Sequence, residues 1–235
     1  MKKIMIATLA LMMIWPFGKV QAQEDYKPFR FGLHAAPSIS WLKPETKGYE
    51  HEKTRMGFSY GMLAEFNMSN NYSLSTGVDI SYFGGKLEYD DLLHYYGSTD
   101  TVEGEITSTY SLQYIHIPLM IKMSTNEIGY LTYFANFGLG TSIRLGSSVE
   151  DSYDNSEGNK KTKTIDDLND DVALFRESLI IGLGAEYSLG PDISLVGSVN
   201  FNNGFTTTIK RDNIQLDKRG NAIANYIEFK FGLLF

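Results

Sequence analysis

The sequence contains no cysteine, which excludes disulfide bonds, zinc–thiolate sites and thiol nucleophiles. After residue 22 it also lacks any run near the roughly 20 consecutive apolar residues that a membrane helix requires. Positive charge is scarce, because 21 Lys and Arg stand against 28 Asp and Glu, for a formal net charge of -7. A chain of this balance has no basic excess to offer a nucleic acid. We therefore expect neither a disulfide scaffold, nor a helical membrane protein, nor a nucleic-acid-binding protein.

The first residues have the pattern of a secretory signal. Two lysines precede the apolar stretch 4–15, and small residues occupy the two positions that a signal peptidase reads before Ala22. We expect residues 1–22 to be a cleaved signal peptide and residues 23–235 to form a single domain. An N-terminal anchor helix is the weaker alternative, because the apolar stretch is too short to span a bilayer.

Alternation of apolar and polar residues recurs eight times in the remaining chain. In each segment one parity is apolar or aromatic and the other is small, polar or charged, which is typical of a β-strand between two different environments. Segments of about ten residues have the length of a tilted membrane strand. The predicted strands are 29–41, 56–66, 72–82, 115–123, 131–139, 175–187, 193–201 and 227–235.

The connections between these segments alternate in length. Short turns are expected at 67–71, 124–128 and 188–191, and long loops at 42–54, 85–107, 147–171 and 203–221. The sequence therefore predicts an all-β fold, a closed eight-stranded antiparallel transmembrane β-barrel with short periplasmic turns and long extracellular loops. An even number of strands places both termini in the periplasm of a cell whose outer membrane holds the barrel. The polar, charged segment 147–171 is the one most expected to be disordered.

The polar parity carries charges of both signs, which a narrow barrel interior must pair. A soluble lipocalin-like barrel would show the same alternation with the two faces exchanged. Aromatic residues near both ends of the strands, such as Trp41 and Tyr82 at one end and Phe29 and Tyr72 at the other, favour the membrane barrel. The expected structural charge network of the lumen comprises Arg30, His34, Glu65, Asp79, His116, Lys122, Arg144, Arg176, Glu186, Asp192, Glu228 and Lys230.

The last predicted strand ends on the apolar parity at Phe235. A terminal aromatic residue that closes an alternating strand resembles the signal recognised by the barrel-assembly machinery of the outer membrane. We therefore expect that machinery to act on the chain during insertion, and outer-membrane lipid to surround the apolar face afterwards.

Several segments resemble one known family. Residues 29–41 followed by 42–49 (LKPETKGY), 56–61 (MGFSYG) and 74–87 (LSTGVDISYFGGKL) are similar to the PorT family of outer-membrane proteins. Two further segments, 114–122 (YIHIPLMIK) and 136–141 (NFGLGT), resemble the broader Bacteroidota outer-membrane β-barrel family that includes PorT. The similarity extends over essentially the whole chain after the signal peptide.

The resemblance implies a function that the residue pattern does not. It implies a non-enzymatic accessory component of type IX protein secretion, with other type IX secretion proteins as partners. It implies no catalytic, cofactor-binding or metal-binding residue. The alternatives are a general surface or envelope barrel, of adhesin or structural type, and a weaker one, an enzyme at the barrel rim.

Three groups of residues are candidate sites of chemistry. His34 and His116 share the lumen parity but lack a third metal ligand at a fixed spacing. His94 stands near Asp90 and Asp91, a combination that could support hydrolysis at a barrel mouth. The acidic stretch 151–158 does not have the spacing of a calcium loop. We expect no catalytic residue, no metal site and no cofactor.

Overall fold

The computed structural model describes residues 27–94, 101–154, 160–166, 168, 170–213 and 218–235. The predicted signal peptide lies outside the described residues and stays a prediction. No helix in the described ranges could span a membrane. The strands are β1 (Phe29–Pro44), β2 (Tyr49–Lys53), β3 (Arg55–Ser69), β4 (Tyr72–His94), β5 (Thr101–Ser124), β6 (Leu131–Asp154), β7 (Lys160–Asp166), β8 (Phe175–Ser188), β9 (Ser194–Gly204), β10 (Ile209–Asn213) and β11 (Lys218–Leu234).

Eight of these strands form a closed antiparallel ring. Their order is β1-β3-β4-β5-β6-β8-β9-β11, and β11 pairs with β1 to close it. Each ring strand contains one of the eight alternating segments found in the sequence. Closure leaves no unpaired sheet edge, which is the condition for a β-structure inside a lipid bilayer. The predicted closed eight-stranded barrel is confirmed.

The apolar parity of the ring strands points outward. Leu33, Leu119 and Leu183 are 58, 55 and 68 % exposed, although burial of such side chains is worth about 25 cal/mol per Å² of apolar surface. The parity facing the lumen is mainly polar, and its side chains, such as His34, are buried. A small apolar cluster of Leu63, Phe134, Val196 and Leu234 is also buried there. A continuous apolar exterior around a polar interior is the arrangement of a membrane barrel rather than that of a soluble one.

Three ring strands continue far beyond the length needed to cross a bilayer. β4, β5 and β6 contain 23, 24 and 24 residues. β2, β7 and β10 pair with the long ends of β4, β6 and β11, respectively. We call β2, β7, β10 and the strand ends that they extend, together with the same end of β5, the extension.

The extension corrects the expectations about all four long loops, because β2 lies within 42–54 and β10 lies within 203–221. The predicted long loop 85–107 is largely a regular hairpin of β4 and β5, whose pairing runs to His94 opposite Thr101. The segment 147–171, which was expected to be disordered, contains the end of β6 and all of β7. The expectation of disorder is therefore wrong for residues 147–154 and 160–166.

The apolar side of each long strand changes where the strand enters the extension. On β5, Ile117 and Ile121 point outward within the ring, whereas Tyr110 and Leu112 point inward in the extension and are buried. The inversion follows from the surroundings, because lipid accepts apolar side chains outside the ring but water surrounds the extension. Its interior is a hydrophobic core formed by Leu42, Tyr49, Phe83, Leu87, Tyr89, Ile106, Tyr110, Leu112, Tyr114, Val149, Leu168, Val172, Ile209, Ala222, Ala224 and Tyr226.

Candidate functional site in the lumen and the extension

Four charged side chains from four ring strands meet near the short-turn end of the lumen. Arg30 donates to Glu65 at 2.6 Å and to Glu186 at 2.8 Å, and Lys122 donates to Glu65 at 2.6 Å. Lys122 also pairs with Glu186. The Lys122 ammonium lies 4.4 Å from the centre of the Phe134 ring. We call Arg30, Glu65, Lys122 and Glu186 the lower network. Its two positive and two negative charges compensate each other.

A second group of charged residues lies further along the lumen. The Lys230 ammonium lies 3.7 Å from Asp79 and 3.5 Å from Glu228, and His34 Nε2 lies 3.2 Å from Asp79 Oδ1. Asn200 donates to Glu228 at 3.1 Å. These side chains come from β1, β4, β9 and β11, so the group connects opposite walls of the ring. We call His34, Asp79, Glu228 and Lys230 the middle network.

The lumen is narrow at the level of His116. The His116 ring lies 2.9 Å from the Ser142 hydroxyl, measured from Nδ1. A Cβ atom added to Gly140 would lie 3.0 Å from His116 Nε2 and 2.9 Å from Ser178 Oγ. Glycine therefore provides the space that the imidazole occupies, and side chains fill the ring here.

Arg176 closes the lumen beneath the extension, and no carboxylate of the described residues accepts a hydrogen bond from it. Its guanidinium donates to Asn202 Oδ1 at 2.7 Å and to the Ala224 carbonyl at 2.9 Å. The rings of Phe83 and Tyr226 each lie 5.3 Å from its central carbon. The side chain is fully buried. Cation–π contacts and neutral acceptors thus replace the ion pair that the sequence predicted for this residue.

Two residues of the predicted charge network lie elsewhere. Arg144 donates to the backbone carbonyls of Leu168, at 3.1 Å, and Val172, so it holds the segment after β7. Asp192 lies at a short turn, where its side chain is 71 % exposed and pairs with Lys27. The placement of Asp192 in the lumen is therefore wrong, because the apolar parity of β9 begins only after that turn.

The structure describes only part of the three candidate sites of chemistry. No set of three His, Asp or Glu side chains within the described ranges is arranged to hold a metal ion. The His94 backbone ends β4, but the side chains of His94 and Asp91 lie outside the described residues, as do residues 155–159. Asp151, the first residue of the acidic stretch, is a buried member of the ion pair described next.

A buried ion pair fastens the top of the extension. Arg211 of β10 donates two hydrogen bonds to Asp151 of β6, at 2.8 and 2.6 Å. The Ser108 hydroxyl donates to the same carboxylate at 2.6 Å, and it lies 3.0 Å from the Tyr89 hydroxyl. Asp151 is 1 % exposed. We call Tyr89, Ser108, Asp151 and Arg211 the latch, because they join β4, β5, β6 and β10.

The surroundings of the latch fix its protonation. Burial raises the pKa of the Tyr89 hydroxyl, and it raises the pKa of Tyr110 to about 12. Burial alone would lower the pKa of Arg211, but the hydrogen bonds with Asp151 raise it above the usual value. Both tyrosines are therefore neutral and Arg211 is charged at physiological pH. Sequence reasoning did not find the latch, because Asp151 and Arg211 are 60 positions apart.

The outer face of β4 and β5 carries crowded carboxylates, which gives a pH prediction. A hydrogen bond with the Glu105 carboxyl raises the pKa of Glu88, and burial adds a smaller contribution. The Glu88 carboxyl therefore binds a proton more tightly in the folded extension than in the unfolded chain. The stability of the extension falls as pH rises from the pKa of Glu88 in the unfolded chain through its pKa in the folded one. Glu88→Gln should flatten this dependence and stabilise the hairpin by less than about 1 kcal/mol at neutral pH. Hydrogen exchange of the β4 and β5 amides at several pH values measures the stability of the hairpin. If its pH dependence is the same in Glu88→Gln, Glu88 is not the group responsible.

Comparisons with known proteins agree with this architecture. A protein-family profile described as "Outer membrane protein beta-barrel domain" matches residues 21–210. Among curated proteins, no match was found.

Solved structures provide three examples of similar folds. Neisserial surface protein A is 13% identical over 87% of this chain and 95% of its own, with a TM-score of 0.43. OprG from Pseudomonas aeruginosa is 8% identical over 89% of this chain and 97% of its own, with a TM-score of 0.48. Ail, the attachment invasion locus protein of Yersinia pestis, is 13% identical over 89% of this chain and 100% of its own, with a TM-score of 0.38.

Proposed function

Because the chain belongs to the outer-membrane β-barrel domain family, we propose that it is a non-conducting, non-enzymatic barrel whose extension holds partner proteins for type IX protein secretion. The observation that supports this proposal is the contrast between the ring and the extension. The lumen is filled by side chains, whereas the extension is a separate folded structure with its own hydrophobic core.

The filled lumen argues against a transport function. Eight strands enclose only enough space for their own side chains. The lower and middle networks join opposite walls of the ring, and Arg176 closes the lumen below the extension. An ion-selective pore would expose one sign of charge, but the charges here are paired with each other. The working surface is therefore outside the ring.

The extension has the rigidity that a docking structure needs. β4, β5 and β6 continue from the ring into the extension as hydrogen-bonded strands, with a bulge between Gln113 and Tyr114, and β2 pairs with the upper part of β4 with a second bulge between His51 and Lys53. The buried latch holds β10 against β6. A surface that is already ordered loses little conformational entropy when a partner binds.

The resemblance to PorT supports the choice of type IX secretion among the roles that such a surface could have. The segment 42–49, which is central to that resemblance, connects β1 to β2 and enters the extension. Leu42 and Tyr49 at its two ends are buried in the hydrophobic core of the extension. Part of the family resemblance thus lies in the part of the molecule to which we assign the function.

The proposal includes an orientation and a route of assembly. We place the extension outside the cell and both termini in the periplasm, because the connections at the opposite end are short turns. Residues 1–22 would direct export, and Phe235 would be read by the barrel-assembly machinery. In this orientation the partners are outer-membrane lipid around the ring and secretion proteins on the extension.

A deletion and complementation experiment tests the function. Deleting the gene from a bacterium that has type IX secretion should leave the cargo proteins unprocessed and absent from the medium, and the intact gene should restore them. Arg211→Met, which opens the latch, should fail to restore secretion. Arg219→Met removes an exposed ion pair with Asp212 in the same hairpin and should restore it fully.

The abundance of each barrel in the outer membrane must be measured in the same cells by its heat-dependent mobility on gels. Normal secretion in the deletion strain would overturn the secretory role and leave a general surface barrel as the remaining interpretation. Full complementation by Arg211→Met, with the extension shown to be open, would overturn the assignment of the function to the extension.

A further inference from the structure

A groove with a mixed polar and apolar lining lies on the outer surface where the ring passes into the extension. It has a volume of about 440 Å³ and crosses the beginning of β3 and the neighbouring parts of β4, β5, β6 and β7. The polar side chains that line it belong to Arg55, Tyr82, Ser111, Gln113, Ser148 and Asp166. The bulge that shifts the register of β5 against β6 lies within this lining. The groove therefore lies where the register of β5 shifts against β6.

The groove lies at the level of the membrane surface. Tyr82, in its wall, belongs to the aromatic residues at the upper end of the apolar belt, and its hydroxyl accepts a hydrogen bond from Gln113 at 3.0 Å. Met56 is an exposed apolar residue of its lower wall. Ser148 and Asp166 lie above, on the water side. A molecule in the groove would thus have one end in lipid and the other in water.

The Arg55 guanidinium has unused hydrogen-bonding capacity in the groove. Arg55 donates through Nη1 to the Tyr110 carbonyl at 2.9 Å and to the Ser111 hydroxyl. Its Nε and Nη2 groups have no partner within the described part of the chain, and a guanidinium has five N–H donors. Donors of a held guanidinium that no protein group uses can bind an anionic group of a ligand.

We propose that this groove binds the phosphorylated saccharide headgroup of a glycolipid in the outer leaflet. The fixed Arg55 guanidinium would bind the phosphate through its free donors. The amide of Gln113 and the hydroxyls of Ser111 and Ser148 match the hydroxyl groups of a sugar, and the acyl chains would lie along the belt below Met56. The inference rests on the orientation proposed above, in which the extension faces outward.

The composition of the groove favours a glycolipid over a phospholipid. A phospholipid headgroup such as phosphoethanolamine would need only one cation and one anion, and Arg55 with Asp166 could supply them. The amide and hydroxyl groups of the groove would then have no partner in the ligand. A saccharide uses both the space and the neutral donors and acceptors.

Lipid binding to the purified full-length barrel in neutral detergent tests the proposal. The probes are lipid A, its dephosphorylated form and phosphatidylethanolamine, and native mass spectrometry measures the bound fraction. Lipid A should be retained as a one-to-one complex, and more tightly than either other lipid. Arg55→Gln should weaken its binding about tenfold or more, because a charge-assisted contact is lost. Lys43→Gln is the matched control, since Lys43 is an exposed cation above the belt on β1, outside the groove.

The outcomes separate this site from the secretory function. Equal weakening by Arg55→Gln and Lys43→Gln, in barrels with normal heat-dependent mobility, would overturn the proposal, and so would preferential binding of phosphatidylethanolamine. If lipid A binding depends on Arg55 but deletion of the gene leaves secretion normal, the lipid site is supported and the secretory role is overturned. If deletion abolishes secretion but lipid binding does not depend on Arg55, the secretory role is supported and the lipid site is overturned.

Discussion

Lys122→Met should lower the free energy of unfolding of the barrel by about 3–5 kcal/mol, because it removes one partner from a buried ion pair network. Lys122 is 2 % exposed and contacts both Glu65 and Glu186. Methionine has a similar length and fills the same space, so the loss comes from charge rather than from a cavity. Arg30 would then face two buried carboxylates alone, and the lower network would have a net negative charge.

Urea titration of the barrel in lipid vesicles, followed by its mobility on gels without heating, measures this change. Lys27→Met is the control, because Lys27 forms an exposed pair with Asp192 whose loss should change stability by no more than about 1 kcal/mol. Adding Glu186→Gln to Lys122→Met should recover part of the loss, since one positive and one negative charge remain. Equal effects of Lys122→Met and Lys27→Met would show that the lower network does not stabilise the ring.

The ring could be predicted from the sequence because its two faces meet different solvents. Outward positions such as Leu119 contact lipid and inward positions such as Lys122 contact other polar groups, so a period of two appears in the sequence wherever a strand crosses the membrane. The same period identifies which charges share the lumen. It does not identify which of them pair, since Glu65 and Glu186 come from strands on different sides of Arg30.

The extension was missed because its alternation has the opposite phase. Ile106, Tyr110 and Leu112 do alternate with polar residues, but on the parity that is polar in the ring. A search for one continuous phase therefore ends at Ile115 and reads the remainder as a loop. The change of phase was the available signal, and it marks the height at which the strand leaves the membrane.

Arg176 shows a different limit of sequence reasoning. Its parity correctly indicates an inward side chain, but its neighbours come from β4, β9 and β11. Whether an inward arginine meets carboxylates or aromatic rings depends on the register of three strands distant in sequence. Positions at the boundary between polar lumen and apolar core can receive either kind of partner.

Arg211→Met should open the extension and leave the ring intact. It removes both guanidinium hydrogen bonds from Asp151, a carboxylate that is 1 % exposed and would keep its hydrogen bond from the Ser108 hydroxyl. The free energy of local opening should fall by about 3–5 kcal/mol, because an unpaired buried charge remains. Hydrogen exchange should accelerate in peptides covering 105–112 and 147–152 and stay unchanged in 115–123.

The matched controls separate this effect from a general loss of stability. Arg219→Met, in the same hairpin, removes an exposed pair and should leave exchange in the extension unchanged. Combining Arg211→Met with Asp151→Asn removes the stranded charge and should restore part of the protection. Faster exchange in the ring segment 115–123 would show that the two halves unfold together. Because the extension has its own hydrophobic core, we expect it to open separately from the ring, as a docking structure above a sealed barrel requires.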